Sequence, residues 1–435
     1  MYRLVLLVFL LLIQPVWANP DGQDGRSERQ VSEPSGSSSL YSRVEPSIYQ
    51  IRVLDKRTGR KRSIGSGFIV ARSDILATNY HVISAYANNP DTYALDYFST
   101  NGDTGSLKLL DVDILHDLAV LQAEEPLGEP LETALIPDKG AMLYAFGNPL
   151  DLGFSLVIGS NNGVLNDSEG KNILFSGSLN SGMSGGPTLN EEGQVVGVNV
   201  ATAGNDVSFL VSVQYLNVLL ERLELRDFQP VDDLLGQVLR DLRDHSLDAL
   251  ERLLDNQQKN NWHASQIGHF TVPMRLGRFF RCWDGSNLLD KLEGLSVLSA
   301  NCSNELDIYL DDGLSVGSMQ YQYYWYEASD MFPPRFYRIY EAQNSSGMEA
   351  SGSEDTVTRF KCHTGFIDVS GKDFKMTFCR RDYVRYPGLS DLLATGAMVG
   401  EKNQGMLFDL YMTGTDFERA SELVKRMLEA FEWTP

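Results

Sequence analysis

Short apolar runs separated by turn residues fill the chain from Ser42 to about residue 226. Each run has the length of a strand and is bounded by residues such as Gly, Asn, Asp or Ser. The runs are GSGFIVA (65–71), DILATNY (74–80), DLAVLQA (117–123), AMLYAFG (141–147), NGVLND (162–167), NILFSGS (172–178), GQVVGVNVA (193–201) and VSFLVSV (207–213). No helix is predicted between them, so the pattern indicates an all-β barrel or sandwich over residues 42–226.

The pattern changes after Pro230, which we take as the domain boundary. Residues 231–256 carry apolar side chains at helical spacing, and 416–433 predict an amphipathic helix. Between them, the side chains of residues 320–328 alternate as in a strand. Residues 359–381 predict a hairpin with the turn SGKD. The aromatic residues of the alternating strand favour core packing over a carbohydrate or peptide platform. The sequence thus predicts a mainly β protein with a separate α+β domain over residues 231–435.

The N-terminus predicts export of the protein. Arg3 precedes the apolar run LVLLVFLLLI, and Val16 and Ala18 form a small-residue cleavage site. This pattern is typical of a signal peptide over residues 1–18, and its apolar core is too short for a membrane anchor. Residues 19–41 are polar and rich in Ser, Gly and Pro, which predicts a flexible tether. We therefore expect a periplasmic or secreted protein without stable membrane insertion.

Composition and cysteine usage fit this expectation. The hydrophobic fraction of 43% is that of a folded protein, and the formal net charge of −21 argues against nucleic acid as a partner. Four cysteines allow three pairings, of which we favour the local ones, Cys282 with Cys302 and Cys362 with Cys379. A metal site is the alternative, but no CxxC pair or neighbouring His set has ligand spacing. We expect neither a metal nor a cofactor.

The stretch NSGMSGGPTL (180–189) contains a candidate nucleophile, Ser184. A serine hydroxyl attacks poorly unless a base takes its proton, an acid orients that base and donors hold the oxyanion. The amides of Gly182 and Ser184 supply such donors if the chain turns sharply, and Gly182 permits the turn. Pro187 and the strands that follow exclude the strand–turn–helix of an α/β-hydrolase elbow.

The base and acid candidates lie in two earlier stretches. His81 follows the strand ILAT, and a buried structural histidine is the alternative interpretation of it. Asp117 directly precedes an apolar run, where a carboxylate needs a partner to offset its desolvation. His116 competes as the base. Asp111 and Asp113 compete as the acid, although their alternation suggests a solvated strand edge.

The stretches GSGFIVARSDILATNYHVI, HDLAVL, SGMSGGP and VVGVNVA resemble trypsin-like serine proteases, and most of all the HtrA/Deg type. The resemblance covers roughly residues 42–226 and implies a double β-barrel. It implies that His81 is the general base, Asp117 the orienting acid and Ser184 the nucleophile, with Gly182 and Ser184 as oxyanion donors. Met183 stands where digestive enzymes carry the aspartate that pairs with a new N-terminus. No PDZ-like segment is recognised after this region.

The resemblance also implies a substrate pocket, with Ser178 at its floor and Leu179 and Asn199 as walls. No acidic residue lies there for Lys or Arg, so a neutral pocket for small or medium apolar side chains is expected. The implied function is a serine endopeptidase that hydrolyses exported or misfolded polypeptides through an acyl-enzyme. A weakly catalytic, chaperone-like binding protein and an esterase are the alternatives. The sequence leaves the oligomeric state open.

Overall fold

A computed structural model describes residues 36–204, 207–259, 261–286, 294–344 and 351–434. The predicted signal peptide and most of the predicted tether lie outside the described residues. The tether prediction overlaps helix α1 (Ser37–Val44), in which Leu40 and Val44 are buried. The last residues of the predicted tether are therefore packed helix rather than a flexible segment.

Two closed six-stranded barrels form the first half of the chain, in agreement with the predicted double β-barrel. The first barrel contains β1 (Ile48–Asp55), β2 (Lys61–Ile69), β3 (Ile75–Thr78), β4 (Tyr93–Phe98), β5 (Thr104–Asp113) and β6 (Leu118–Ala123). The second contains β7 (Met142–Gly147), β8 (Ser155–Val164), β9 (Ile173–Phe175), β10 (Pro187–Leu189), β11 (Val195–Gly204) and β12 (Val207–Ser212). Helix α3 (Val213–Glu224) follows the last strand, and the side chain of Ser212 caps its first turn.

Helix α2 (Tyr80–Asn88) was not predicted from the sequence. The apolar pattern of the preceding strand continues into Tyr80, Val82 and Ile83, which are buried, so no change of periodicity marks the helix start. Asn79 makes no side-chain cap. Asp117 instead accepts from the amides of Tyr80, through its carbonyl at 3.1 Å, and of His81, through Oδ1 at 2.8 Å. A distant residue therefore satisfies the first amides of the helix.

Helix α4 (Leu234–Gln258) connects the barrels to the rest of the chain and contributes to two cores. Val238 and Leu242 pack with residues of the first barrel, whereas Leu250 and Leu253 pack in the core of the C-terminal part. The predicted helix over residues 231–256 thus exists, but it does not belong to one domain alone.

The C-terminal part is built on a seven-stranded antiparallel sheet in the order β15-β16-β19-β23-β22-β21-β20, as an α+β domain. Its strands are β15 (Arg281–Asp284), β16 (Leu295–Ser303), β19 (Met319–Ala328), β20 (Lys361–Val369), β21 (Lys372–Asp382), β22 (Ser390–Met398) and β23 (Gln404–Thr415). Smaller sheets pair β13 (His263–Ile267), β14 (Phe270–Arg275) and β24 (Glu432–Trp433), and β17 (Ile308–Asp311) with β18 (Leu314–Val316). Helices α4 and α6 (Phe417–Glu429) pack on one face of the large sheet, and α5 (Pro333–Gln343) packs on the other.

The aromatic strand β19 packs as expected for a strand covered on both faces. Tyr321, Tyr323 and Trp325 are buried in the core beneath α4 and α6. Tyr326 is buried on the opposite face against α5, and Tyr324 is partly buried beside it. The prediction of core packing is therefore confirmed for this strand.

Both predicted disulfides are present. Cys282 and Cys302 face each other across β15 and β16, and Cys362 and Cys379 across β20 and β21. The second pair lies in the predicted hairpin, which turns at Ser370 and Gly371 with positive φ values of 54° and 76°. Among the described helices, none combines the length and the apolar character that a membrane crossing requires.

Candidate active site

Asp117 makes four hydrogen bonds around the start of α2, two of them to His81, and so fixes the orientation of this imidazole. It lies at the end of a turn before β6 with a φ of 54°. Its carbonyl accepts from the Tyr80 amide and from Asn79 Nδ2 at 2.8 Å, and its Oδ1 accepts from the His81 amide. Its Oδ2 is 2.6 Å from His81 Nδ1. Because a carboxylate only accepts, the proton of neutral His81 is on Nδ1, and Nε2 is left as the basic nitrogen.

The same contacts set the basicity of His81. Burial by itself lowers the pKa of this imidazole, but the charge of Asp117 and its hydrogen bond outweigh burial. The pKa of His81 therefore lies above its ordinary value. The His81 side chain is 30% exposed, so the imidazole is not sealed off from solvent. A histidine of this kind is suited to general base catalysis near neutral pH.

Ser184 lies in a turn that is anchored to the first barrel. The Ser184 carbonyl accepts from the Ser66 amide at 2.8 Å, and the Gly182 carbonyl accepts from Ser66 Oγ at 2.7 Å. Gly185, with a φ of 84°, packs so closely that an added Cβ would lie 2.3 Å from Thr78 Oγ1. It would also lie 3.0 Å from the amide nitrogen of Asn79, two residues before His81. The absence of a side chain thus allows this approach.

A second glycine contact confirms that the serine turn and the histidine helix meet. A Cβ added to Gly65 would lie 2.5 Å from Val82 Cγ2 and 3.0 Å from the Ser184 carbonyl oxygen. Val82 follows His81 directly, so both segments pack against the same point of β2. The structure thus brings together the regions of His81, Asp117 and Ser184 at the seam between the two barrels.

The Ser184 hydroxyl donates to the carbonyl of Val200 at 2.9 Å. Within the described residues it makes no hydrogen bond to His81. A rotation of the side chain is needed to bring Oγ to the imidazole, and such contacts are often incomplete in structures without substrate.

Two amide donors are available beside this hydroxyl. The amides of Gly182 and Ser184 donate to no acceptor in the described part of the chain. Gly182 has a φ of 94°, which lies in the left-handed region that favours glycine. These are the two donors that the sequence assigned to an oxyanion, and they remain unused by the fold.

The alternative acids have other partners. The prediction of a solvated edge is wrong for Asp111, which is fully buried and bonded to Arg222, Arg226 and Gln237. A bulge in β5 changes the register between Leu109 and Asp111, and the arginines come from α3 and the turn after it, so the strand pattern alone did not reveal this burial.

The competing histidine has its own carboxylate. His116 Nδ1 lies 2.7 Å from Asp113 Oδ2, and the His116 ring stacks on Tyr215 with centroids 3.5 Å apart. The end of β5 and the turn that leads to Asp117 therefore contain a second His–Asp pair. Its polar atoms contact each other and its imidazole stacks on an aromatic ring, so it provides a comparison pair for the site of His81.

The structure corrects two of the predicted pocket residues. Asn199 is fully buried, its Nδ2 donates to the carbonyls of Phe146 and Met183, and its Oδ1 accepts from Thr188 Oγ1. Leu179 is buried in the core of the second barrel. Neither side chain is available to a substrate, because β11 and the turn before Ser184 direct them inward. Ser178 is exposed.

Sequence reasoning missed two residues near the site. Ser66 is buried and also accepts from the Asn148 amide at 2.9 Å, so it ties the serine turn to both barrels. The only local sequence feature that marked Ser66 was its position between two glycines. Tyr309, on β17 of the C-terminal part, places its ring edge-on to His81 with centroids 6.0 Å apart. No sequence signal connects two residues so far apart in the chain.

Comparisons with known proteins match the barrel region. Residues 65–198 match the trypsin-like peptidase domain family. The mitochondrial serine protease HTRA2 of Bos taurus is 28% identical over 203 residues, which are 43% of this chain and 43% of that protein. The chloroplastic Protease Do-like 5 of Arabidopsis thaliana is 29% identical over 199 residues, 38% of this chain and 59% of that protein. The solved structure of Deg5 is 25% identical, covers 42% of this chain and 90% of that one, and has a TM-score of 0.37.

The resemblance stated from the sequence is thus confirmed for the barrel region. The matches span only about two fifths to three fifths of these curated relatives, and the family match ends at residue 198.

Proposed function

Because the chain contains a trypsin-like peptidase domain similar to those of the HtrA serine proteases, we propose that it is a serine endopeptidase. His81, Asp117 and Ser184 form its catalytic triad. The observation that carries this proposal is the 2.6 Å contact of His81 Nδ1 with Asp117, together with the packing of the Ser184 turn against the start of the same helix.

The reaction begins when Ser184 Oγ leaves the Val200 carbonyl and gives its proton to His81 Nε2. Oγ then attacks the peptide carbonyl, and the developing oxyanion receives hydrogen bonds from the Gly182 and Ser184 amides. Asp117 stabilises the imidazolium, which next protonates the leaving amine. Water releases the acyl group by the same steps, with His81 again as the base.

The proposed substrates are polypeptides that reach an exported enzyme in an unfolded state. The predicted signal peptide supports a periplasmic or secreted location, and so do two disulfides, which persist in oxidising compartments. The exposed Ser178 supports a neutral pocket floor that accepts small or medium apolar side chains. Cleavage after Arg, Lys or Glu would contradict this preference.

The test combines covalent labelling with proteolysis. A fluorophosphonate probe should label the full-length protein, and Ser184→Ala should abolish the labelling. An unfolded protein substrate should be cleaved by the wild type and not by Ser184→Ala, with the fragment ends identified by mass spectrometry. Ser181→Ala is the matched control, because it changes an exposed serine of the same turn. Labelling that persists in Ser184→Ala would exclude this nucleophile.

One observation favours the second candidate, a weakly catalytic protein that holds unfolded clients. The hydrogen bond of Ser184 Oγ to Val200 keeps the hydroxyl away from His81. If the probe fails to label the wild type while an unfolded protein still binds, the binding function is preferred to proteolysis.

A further inference from the structure

The hairpin of β17 and β18 lies against α2, the helix that carries His81. The Leu310 carbonyl accepts from Tyr80 Oη at 3.1 Å and from Asn88 Nδ2 at 3.0 Å. Arg385 reinforces the far end of the helix, where it donates to Asn88 Oδ1 and to the Asn88 carbonyl, both at 3.0 Å. The C-terminal part is thereby fixed to both ends of α2.

Apolar packing holds the same hairpin in place. Ile308, Leu310, Leu314 and Val316 are buried in one core with the side chains of α2 and the first barrel. Buried contacts of this extent make the hairpin a rigid neighbour of α2 rather than a loose loop.

Tyr309 packs against the edge of this core and is only half-buried, whereas its strand neighbours Ile308 and Leu310 are buried within it. Its half-buried ring stands edge-on to the His81 imidazole, at an interplanar angle of 69°. Its hydroxyl donates to Asp312 Oδ1 at 3.0 Å, and Asp312 forms an ion pair with Arg62 of β2. Burial is the main cause that raises the pKa of Tyr309 to about 12, so the hydroxyl is uncharged at neutral pH.

The position of Tyr309 identifies the side of the cleft to which it belongs. Ser184 Oγ reaches Val200 of β11, and Ser178 belongs to the same second barrel, so the acyl half of a substrate lies on that side. Tyr309 instead contacts His81 and, through Asp312, Arg62, which are both in the first barrel. His81 is the group that protonates the leaving amine, so the atoms next to it belong to the leaving half.

We propose that Tyr309 forms the wall of the subsite for the residue after the cleaved bond and selects an apolar side chain there. This inference rests on the proposed function and deepens it, because the C-terminal part would supply a specificity-determining residue to the peptidase cleft. An apolar side chain that leaves water for the face of a held aromatic ring gains about 1.4 kcal/mol, or about tenfold in kcat/KM.

The test uses full-length enzyme and internally quenched peptides that differ only in the residue after the cleaved bond, Leu or Gly. A coumarin amide with the same acyl half reports acylation without that residue. The wild type should prefer Leu over Gly by about tenfold in kcat/KM. Tyr309→Ala should reduce this preference to less than about threefold, and Tyr309→Phe, which keeps the ring, should retain it. The preference is a ratio, so a lower fraction of active enzyme does not change it.

Tyr337→Ala is the matched control, since this partly exposed tyrosine lies on α5 against the other face of the large sheet. It should retain the wild-type preference. If Tyr309→Ala fails to fold, Tyr309→Thr replaces it, because a β-branched residue suits the strand. A preference that persists without the ring overturns the proposal, as does a wild type that cleaves both peptides equally. A wild type that hydrolyses neither the peptides nor the coumarin amide overturns the proposed function as well.

Discussion

Replacement of Asp117 by Asn tests the role of this carboxylate most directly, because the structure shows what an amide must lose. Asp117 uses one oxygen for the His81 amide, at 2.8 Å, and the other for His81 Nδ1, at 2.6 Å. An Asn side chain has one accepting oxygen and one donating NH2 group. If the introduced oxygen still accepts from the His81 main-chain amide, the NH2 group faces Nδ1. The imidazole proton then moves to Nε2, and His81 can no longer take the proton of Ser184.

The expected loss of activity in Asp117→Asn follows from these two contacts with His81. The opposite orientation of the introduced amide restores the correct tautomer, but it places an NH2 group against the His81 amide and leaves that donor unpaired. That orientation costs an unpaired donor, at about 1–3 kcal/mol, and the charge of the bond to the imidazolium, at about 1.5–3 kcal/mol, so the loss is about 3–6 kcal/mol. This corresponds to a decrease of about 10²- to 10⁴-fold in kcat/KM for Asp117→Asn.

The pH profile provides an independent readout of the same change. His81 must be neutral to accept a proton, so activity rises as the pH increases through its pKa. That pKa is raised in the wild type, because the charge and hydrogen bond of Asp117 outweigh burial. In Asp117→Asn the burial of His81 remains but the negative charge beside it is gone, so the pKa of His81 falls. The acid limb of kcat/KM therefore moves to lower pH.

The assay is hydrolysis of a coumarin amide between pH 5 and 9, normalised to sites that react with a fluorophosphonate. Asp113→Asn is the matched control, because it removes the carboxylate of the second His–Asp pair, 2.7 Å from His116. It should keep the activity within about threefold. A loss below tenfold in Asp117→Asn, or an unmoved acid limb, would refute the role assigned to Asp117.

Two further predictions concern carboxylates, the buried Asp111 and the half-buried Asp409. Asp111→Ala leaves Arg222, Arg226 and Gln237 without their common partner, so the free energy of unfolding in urea should fall by about 3–5 kcal/mol. The exposed control Asp312→Ala should change this free energy little. Burial raises the pKa of Asp409 to about 6, above its ordinary value, so folding stability should fall as the pH rises from about 4 to 6. Asp409→Asn should remove this slope, and an unchanged slope in the variant would contradict the assignment.

The sequence predicted those features that depend on local patterns. Most strands of the two barrels follow from periodicity and turn residues, although no predicted run matched β4 or β10. The hairpin with Cys362 and Cys379 and the helix over residues 231–256 follow from the same kind of pattern. Ser184 was recognisable from its glycines, and one of these, Gly185, proves to fill a space that excludes a Cβ. These features are local because each depends on residues within a few positions of one another.

Features that depend on distant partners were not predictable. Helix α2 is capped by Asp117, Asp111 is buried by arginines from α3 and the turn after it, and Asn199 is turned inward by contacts with Phe146 and Thr188. In each case the local sequence shows only that a polar residue is present. The environment of that residue is decided by groups that are distant in the chain and that no short stretch of sequence contains together with it.

The same reasoning applies to the relation between the two halves of the chain. Val238 and Leu242 of α4 and the four apolar residues of the β17–β18 hairpin complete the core that surrounds α2. Gln237 of α4 also bonds to Asp111 inside the first barrel. A barrel region cut at residue 226 would therefore expose one face of the helix that holds His81. The C-terminal part is a structural support of the candidate active site, because it covers and anchors the helix whose first turn Asp117 caps.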